Sequence, residues 1–276
     1  MDFGSDFVLT LFTNQPTIAK QADEAGVNRI GLDLERLGKE NRQDNRCWIS
    51  DHKIEEFMAI KRELSHAQLF ARTNPIHEHL KREIDTCIEI GVKVIMLPMF
   101  ESAVEAAQFV DWVAGRAKVY LLVETPAAAM RIHDIVRVEG VDEIHVGLND
   151  MYLGMGLKSH FEVLVSDLMD MLANVIHDAG IPFGFGGIAR LNDESLPVPA
   201  DLVYAQFARL SATRALVSRV FLQPDPKQID MNQEIKILRE RLNFWITAGQ
   251  EQINLAHREL RQLVTNRYFP ELTGRT

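Results

Sequence analysis

"LVETPAAAMRIHDIVRVEGVDEIHVGLND", from Leu122 to Asp150, carries the pattern that decides the fold. An apolar run ends at Glu124, and Thr125 and Pro126 then supply the N-cap and first position of a helix. A second apolar run leads to Asp150. Read this way, the stretch is strand, helix, strand, with a carboxylate at each strand's end. A bare negative charge is unusual there, yet it occurs twice, one structural unit apart.

The alternation continues in both directions. Strand candidates are "DFVLTLF", "VNRIGLDLE", "AQLFART", "VKVIMLPMF", "AKVYLLVE", "VDEIHVGL", "IPFGFGG" and "TRALVSRVF". Amphipathic segments lie between them, such as "HLKREIDTCIEIG", several closing on a C′ glycine. Eight such units predict an α/β fold, a single (β/α)8 TIM barrel, with an open doubly wound sheet as the alternative. The barrel core is expected over residues 1–225. Residues 226–276 form a helical tail with Ile235, Leu238, Leu242, Trp245 and Ile246 at helical spacing. One tail helix completes the barrel; the surplus is expected to meet a partner subunit in a homo-oligomer.

Composition excludes several function classes. Of 276 residues, 46% are hydrophobic, enough for a large core, and the net charge of −9 argues against nucleic acid or an anionic membrane as partner. Two cysteines without CxxC spacing, Cys47 and Cys87, suit a reducing compartment, and Cys87 reads as a small buried hydrophobe. The N-terminus lacks signal-peptide features, and no apolar run is long enough to span a bilayer. A cytoplasmic location is expected.

Helix starts set the registration. Asn74 and Pro75 read as N-cap and first position, and Ser102 with Glu105 as a capping box. Arg72, Glu101 and Glu124 then fall at strand C-terminal ends, the face that carries barrel active sites. Strand alternation puts Leu122 and Tyr120 on the face of Glu124, and Phe70 and Gln68 on that of Arg72. Glu124 and Asp150 would sit on adjacent strands, about 4.8 Å apart. Two carboxylates so close repel unless a cation or proton intervenes. Mg²⁺ (or Mn²⁺), which favours one or two carboxylates plus water and substrate oxygens, answers the pair.

"LFARTNP", "IMLPMFES", "LLVETPAAA" and "VGLND" together resemble the HpcH/HpaI aldolase and citrate lyase β-subunit family of the phosphoenolpyruvate/pyruvate barrel superfamily. The resemblance covers roughly residues 5–220 and is densest from Gln68 to Gly156. It implies a metal-dependent carbon–carbon lyase acting on 2-keto acids or related small carboxylates. Glu124 and Asp150 match its metal ligands, and Arg72 the arginine that contacts the substrate's keto or carboxylate oxygen. Gly147, Leu148 and Asn149 match backbone N–H groups that receive the substrate carboxylate. In that family the last helix is often exchanged between subunits, in line with the long tail.

The pattern departs in "GLDLERLGKEN". Arg36 occupies the slot of the aldolase branch's basic histidine, and arginine is no base. The lyase branch reads "DLED" here. Asp33 and Glu35 share a face and match acidic positions of both branches, able to orient water or take the proton. Leu122 replaces a glutamine usual in the aldolase branch. Thioester-lyase chemistry on the same metal, or a keto-acid-binding barrel without turnover, are the alternatives.

The remaining features carry less chemistry. His77 and His79 read as a solvated first helical turn, because i,i+2 residues do not face each other on a helix. His145, opposite in parity to Asp150, is expected to pack against a helix. Gly186, Gly187 and Arg190 end strand seven, where barrels often bind phosphate, or where glycines admit a close turn. Lys39 to Cys47 reads as a lid or a solvated loop.

Overall fold

A strand that turns alternate side chains to opposite faces can line a barrel with one set and anchor helices with the other. The computed structural model of this chain, which describes residues 3–39 and 51–270, shows this division throughout. Cys47 and most of the loop predicted as a lid fall outside the described residues. The strands are β1 Val8–Phe12, β2 Arg29–Asp33, β3 Gln68–Arg72, β4 Val94–Leu97, β5 Lys118–Val123, β6 Glu143–Val146, β7 Phe183–Ile188 and β8 Arg214–Val217. Each pairs in parallel with the next. β1 also pairs with β8, through Val8↔Arg214, Leu9↔Ala215 and Thr10↔Leu216, which closes the barrel and rules out the open sheet.

The surrounding helices are α1 Phe3–Asp6, α2 Pro16–Glu24, α3 Phe57–Glu63, α4 Leu80–Ile90, α5 Ala103–Val113, α6 Pro126–Met130 and α7 Ile132–Ile135. They continue with α8 Leu148–Gly154, α9 His160–Leu164, α10 Asp167–Asp178, α11 Ala200–Arg209, α12 Met231–Thr247 and α13 Gln250–Tyr268. Outward residues such as Leu11, Ile30, Leu32, Ile95, Leu121 and Ile144 pack under them. Inside, Phe70, Val94, Met96, Tyr120 and Leu122 form a separate cluster, with Phe12 and Leu216 against it. The predicted faces of Glu124 and Arg72 are thus the inward ones.

Charge plugs the N-terminal end. Arg29 donates to both Glu143 oxygens at 2.6 Å, and Arg214 joins the same carboxylate from β8. All three side chains are buried. Burial would raise the Glu143 carboxyl, but the two guanidiniums hold it below its ordinary range. The C-terminal mouth is left for function.

Local signals mostly hold. Thr125 accepts the Ala128 N–H at 3.0 Å with Pro126 beginning α6. Ser102 caps α5 by accepting the Glu105 N–H, while Glu105 reaches back to the N–H of Glu101. Glu101 itself lies four residues beyond the end of β4 and is exposed, so it does not stand at the mouth. Asn74 caps no helix, because α4 begins only at Leu80. Instead its Oδ1 accepts the N–H groups of Arg36 and Leu37 at 2.9 and 3.0 Å. Its own N–H and amide bond Glu83, tying the β2 and β3 loops together.

The tail forms two helices on this same barrel. α12 buries Met231, Ile235, Leu238, Leu242 and Trp245 and packs on α1, α2 and α11. α13 buries Ile253, Ala256, Leu260 and Val264 against α11 and α9. Ile246, expected on the buried face, is exposed. Cys87 is buried on α4, and desolvation pushes its thiol up to about 12, as suits a space-filling residue. Among the described residues no helix is long and apolar enough to cross a membrane.

Candidate active site

Arg72 organises the mouth. It ends β3 on the inward face, with its guanidinium over the Phe12 ring, 5.4 Å to the centroid. Asp33, which ends the neighbouring β2, takes it as a fork: Nε to Oδ1 at 2.8 Å and Nη2 to Oδ2 at 2.7 Å. Glu35 is 3.4 Å from the same Nη2. Burial alone would lower the Arg72 pKa, but Asp33, Glu35 and Glu124 raise it well above normal. Asp33 is desolvated, which would push its carboxyl up; Arg72 and Lys39 outweigh this and hold it below the ordinary range.

Lys39 was not singled out in the sequence. It is 3% exposed, and its ammonium lies 3.1 Å from Asp33 Oδ2 and 3.3 Å from Glu35 Oε2. Its only signal is a spacing of four from Glu35 inside a polar stretch. His52 was missed as well: its Nδ1 accepts the Asp33 N–H at 3.0 Å. Arg36 turns outward, to the Asp51 carboxylate at 3.2 Å and the His52 carbonyl at 2.8 Å.

Glu124 follows β5 and is 3% exposed. Its Oε1 accepts the N–H of Met99, whose φ of 56° is a left-handed conformation that costs a non-glycine residue roughly 1–3 kcal/mol. Burial raises the Glu124 carboxyl well above normal, and the charges of Glu35 and Asp150 raise it further, with Arg72 opposing. Gly147 passes so close that a Cβ there would lie 2.6 Å from Glu124 Cβ. Only glycine admits that approach.

Asp150 reaches the mouth by a route the sequence did not show. β6 stops at Val146 and α8 starts at Leu148, so Asp150 lies in a helix's first turn rather than at a strand end. The same early stop breaks the parity count for His145. It faces the barrel interior, with Nδ1 3.0 Å from Tyr120 Oη and Nε2 2.9 Å from the Gly186 carbonyl, and does not pack on a helix. The Gly147 N–H already donates to Val123 O at 2.9 Å, so it is not available to a carboxylate as expected. Leu148 and Asn149 lie in the first turn of α8, where N–H groups have no partner within the helix.

Arg190 gives its guanidinium to the Gln223 carbonyl at 2.8 Å and approaches Asp193 at 3.6 Å. Gly186 has a φ of +50°, and a Cβ would lie 2.9 Å from Leu148, which fits the close-turn reading of this pair. His79 stands exposed at the N-cap of α4, and the His77 and His79 rings are 6.3 Å apart and edge-to-face.

Four carboxylates thus gather at the mouth, Asp33, Glu35, Glu124 and Asp150, against two buried cations, Arg72 and Lys39. Asp33 and Glu35 contact both cations, and Arg72 also opposes the charge of Glu124. Among the described residues no cluster of three or more His, Cys, Asp or Glu is gathered to hold a metal. Glu124 and Asp150 are oxygen donors of the kind a hard divalent ion takes, with water and substrate completing its shell.

The HpcH/HpaI aldolase/citrate lyase family model matches residues 7–183 of this chain. The chain belongs to that family. No curated protein matches it in sequence. Solved structures share the family fold at low identity. An HpcH/HpaI aldolase from Desulfitobacterium hafniense has a TM-score of 0.60 and 17% identity, over 78% of this chain and 86% of that one. The citrate synthase SbnG scores 0.58 with 16% identity over the same shares. An HpcH/HpaI aldolase/citrate lyase family protein from Burkholderia cenocepacia scores 0.61 with 14% identity, over 87% and 95%. Family membership supports a lyase of this superfamily.

Proposed function

We propose that this family member is a divalent-metal-dependent carbon–carbon lyase that cleaves a 2-keto acid aldol to pyruvate, or a similar keto acid, plus an aldehyde. The observation that carries the reading is the proximity of two carboxylates, Glu124 and Asp150, whose charges act on each other beside a forked arginine at the barrel mouth. Glu124 and Asp150 would hold Mg²⁺ or Mn²⁺. A divalent ion there supplies Lewis acidity to the oxygens of a chelating 2-keto acid.

The chain's own groups do the rest. Arg72 places fixed positive charge where the keto oxygen gains negative charge as the carbon–carbon bond breaks. The first-turn N–H groups of Leu148 and Asn149 present donors to the substrate carboxylate, aided by the positive end of α8. One carboxylate takes the proton of the aldol hydroxyl, the bonding pair passes to the keto acid as its enolate, and the aldehyde leaves. Asp33 or Glu35 would be that acceptor, each in contact with Arg72 and Lys39. Protonation of the enolate carbon then gives pyruvate. A cleft of about 420 Å³ beside the mouth, lined by Leu34, Arg36, His52, Asn74 and Arg82 among others, offers room for the variable half of the substrate.

Thioester-lyase chemistry is the second reading. It is favoured by Leu122, which packs inside the barrel on Tyr120 and Phe70 and gives no polar group below Glu124. The exposed Phe244, Ile246, Leu255 and Leu263 of α12 and α13 support contact with a second copy through the tail. Buried, reduced Cys87 suits the cytoplasm.

A pyruvate-coupled assay over keto-acid aldols and acyl thioesters, with and without chelator, tests the reading. Turnover should need the metal, and Glu124→Gln or Asp150→Asn should abolish both metal affinity and turnover. Metal-independent turnover, or variants with unchanged ion binding and rate, would refute it. Tight keto-acid binding without product would instead indicate a binding barrel.

A further inference from the structure

Arg72 has a conflict that its assigned task exposes. Its fork to Asp33 uses Nε and Nη2 and leaves Nη1 for a substrate oxygen, but one guanidinium cannot neutralise two buried carboxylates and still present positive charge to an anion. Lys39 answers that need. Its ammonium contacts Asp33 Oδ2 and Glu35 Oε2, the same two oxygens that Arg72 Nη2 touches at 2.7 and 3.4 Å. Arg219 also approaches Asp33 Oδ2, at 4.0 Å, but is more than half exposed and screened by solvent. Lys39 is the second buried cation on these two oxygens.

We propose that Lys39 is a positioning residue: the second counter-charge to Asp33 and Glu35, which leaves the charge of Arg72 available to a substrate anion. This rests on the role given to Arg72 above. Without Lys39 the two carboxylates would hold Arg72 for themselves, and an anion arriving at the mouth would compete with both.

The test uses oxalate with Mg²⁺ as the probe, read by calorimetry and by the NMR signal of the Arg72 Nε–H. In the wild-type protein oxalate should bind and shift that signal as Arg72 takes up the anion. Lys39→Met should weaken oxalate at least about tenfold, the effect of a lost buried charge contact, and leave the signal in place. Removing one carboxylate along with the lysine, Glu35→Gln/Lys39→Met, should recover most of the affinity. A purely structural lysine would show no such rescue. Lys39→Met binding as wild type does, a double variant no better than the single, or no oxalate response in the wild type, each overturns the proposal. If Lys39→Met does not fold, the charge-balanced double variant should; its failure too would overturn the proposal. If oxalate behaves as expected but no keto-acid aldol or thioester is cleaved, the lyase reading fails and the assignment of Lys39 stands.

Discussion

The peptide N–H of Asp33 ends on Nδ1 of His52, 3.0 Å away. An N–H donor requires a bare nitrogen opposite, so neutral His52 carries its proton on Nε2. Burial lowers its pKa, with Asp33 and Glu56 resisting and Arg219 and Lys39 adding to the fall. His52 is therefore a neutral donor beside the mouth at neutral pH. Nitrogen-15 shifts should show a protonated Nε2 and a bare Nδ1, persisting below pH 6.5. A protonated Nδ1 at neutral pH would contradict this. Replacing His52 by Ala leaves the Asp33 N–H unanswered and should cost about 1–3 kcal/mol, read by denaturant unfolding.

Arg72→Lys is a severe change here, though it keeps the charge. Nε and Nη2 each serve one oxygen of Asp33, and an ammonium cannot reproduce that fork. Loss of a preorganised donor at developing charge typically costs on the order of 10²–10³ in rate. The expected result is that fall in kcat/KM with the thermal midpoint shifted only slightly. Activity within a few-fold of wild type would remove Arg72 from the chemistry.

Much of this arrangement was legible in the sequence. The eight strands and the inward faces of Glu124 and Arg72 follow from period-two patterning and from strong local signals such as Thr125–Pro126. Asp33, Glu35 and Arg72 could be placed at the mouth because strand ends project there. Failures came where the chain leaves regular structure. Asp150 and His145 were misplaced because β6 ends at Val146, two residues short of the strand expected to run to Leu148, and parity has no meaning past Val146. Lys39 and His52 were invisible because they come from the long connection after β2, whose course only tertiary packing sets. Asn74 carried a capping residue's signature but spends its hydrogen bonds across to the neighbouring loop.

The floor of the barrel makes a stability prediction with two arms. Glu143→Gln leaves Arg29 and Arg214 buried against a neutral amide and should destabilise the fold by about 3–5 kcal/mol. Replacing all three together by Met, Leu and Met should be close to neutral, since desolvation of the ions is avoided along with their attraction. Urea unfolding of both proteins decides it. A triple variant as unstable as the single would mean that packing, rather than unpaired charge, sets the cost.

His145 should leave a signature in the pH dependence of stability. It is fully enclosed between Tyr120 and Gly186. Burial pushes its imidazole down to about 3; the Gly186 carbonyl and Glu143 resist, while Arg214 and Arg72 add to the fall. Folding therefore holds it neutral, whereas the unfolded chain takes up a proton below pH 6.5. Its contribution is complete above 6.5 and is lost as pH falls toward 3, at up to about 1.4 kcal/mol per pH unit for one proton. His145→Gln removes that proton while offering a donor and an acceptor to the same neighbours. The variant should start less stable at pH 7.5, yet lose stability less steeply than wild type between pH 6 and about 4. His52, His160 and His257 shift the same way and are common to both proteins, so the difference in slope belongs to His145. Equal slopes would mean that the ring already carries its proton inside the barrel, with Nδ1 donating to Tyr120 instead of accepting from it.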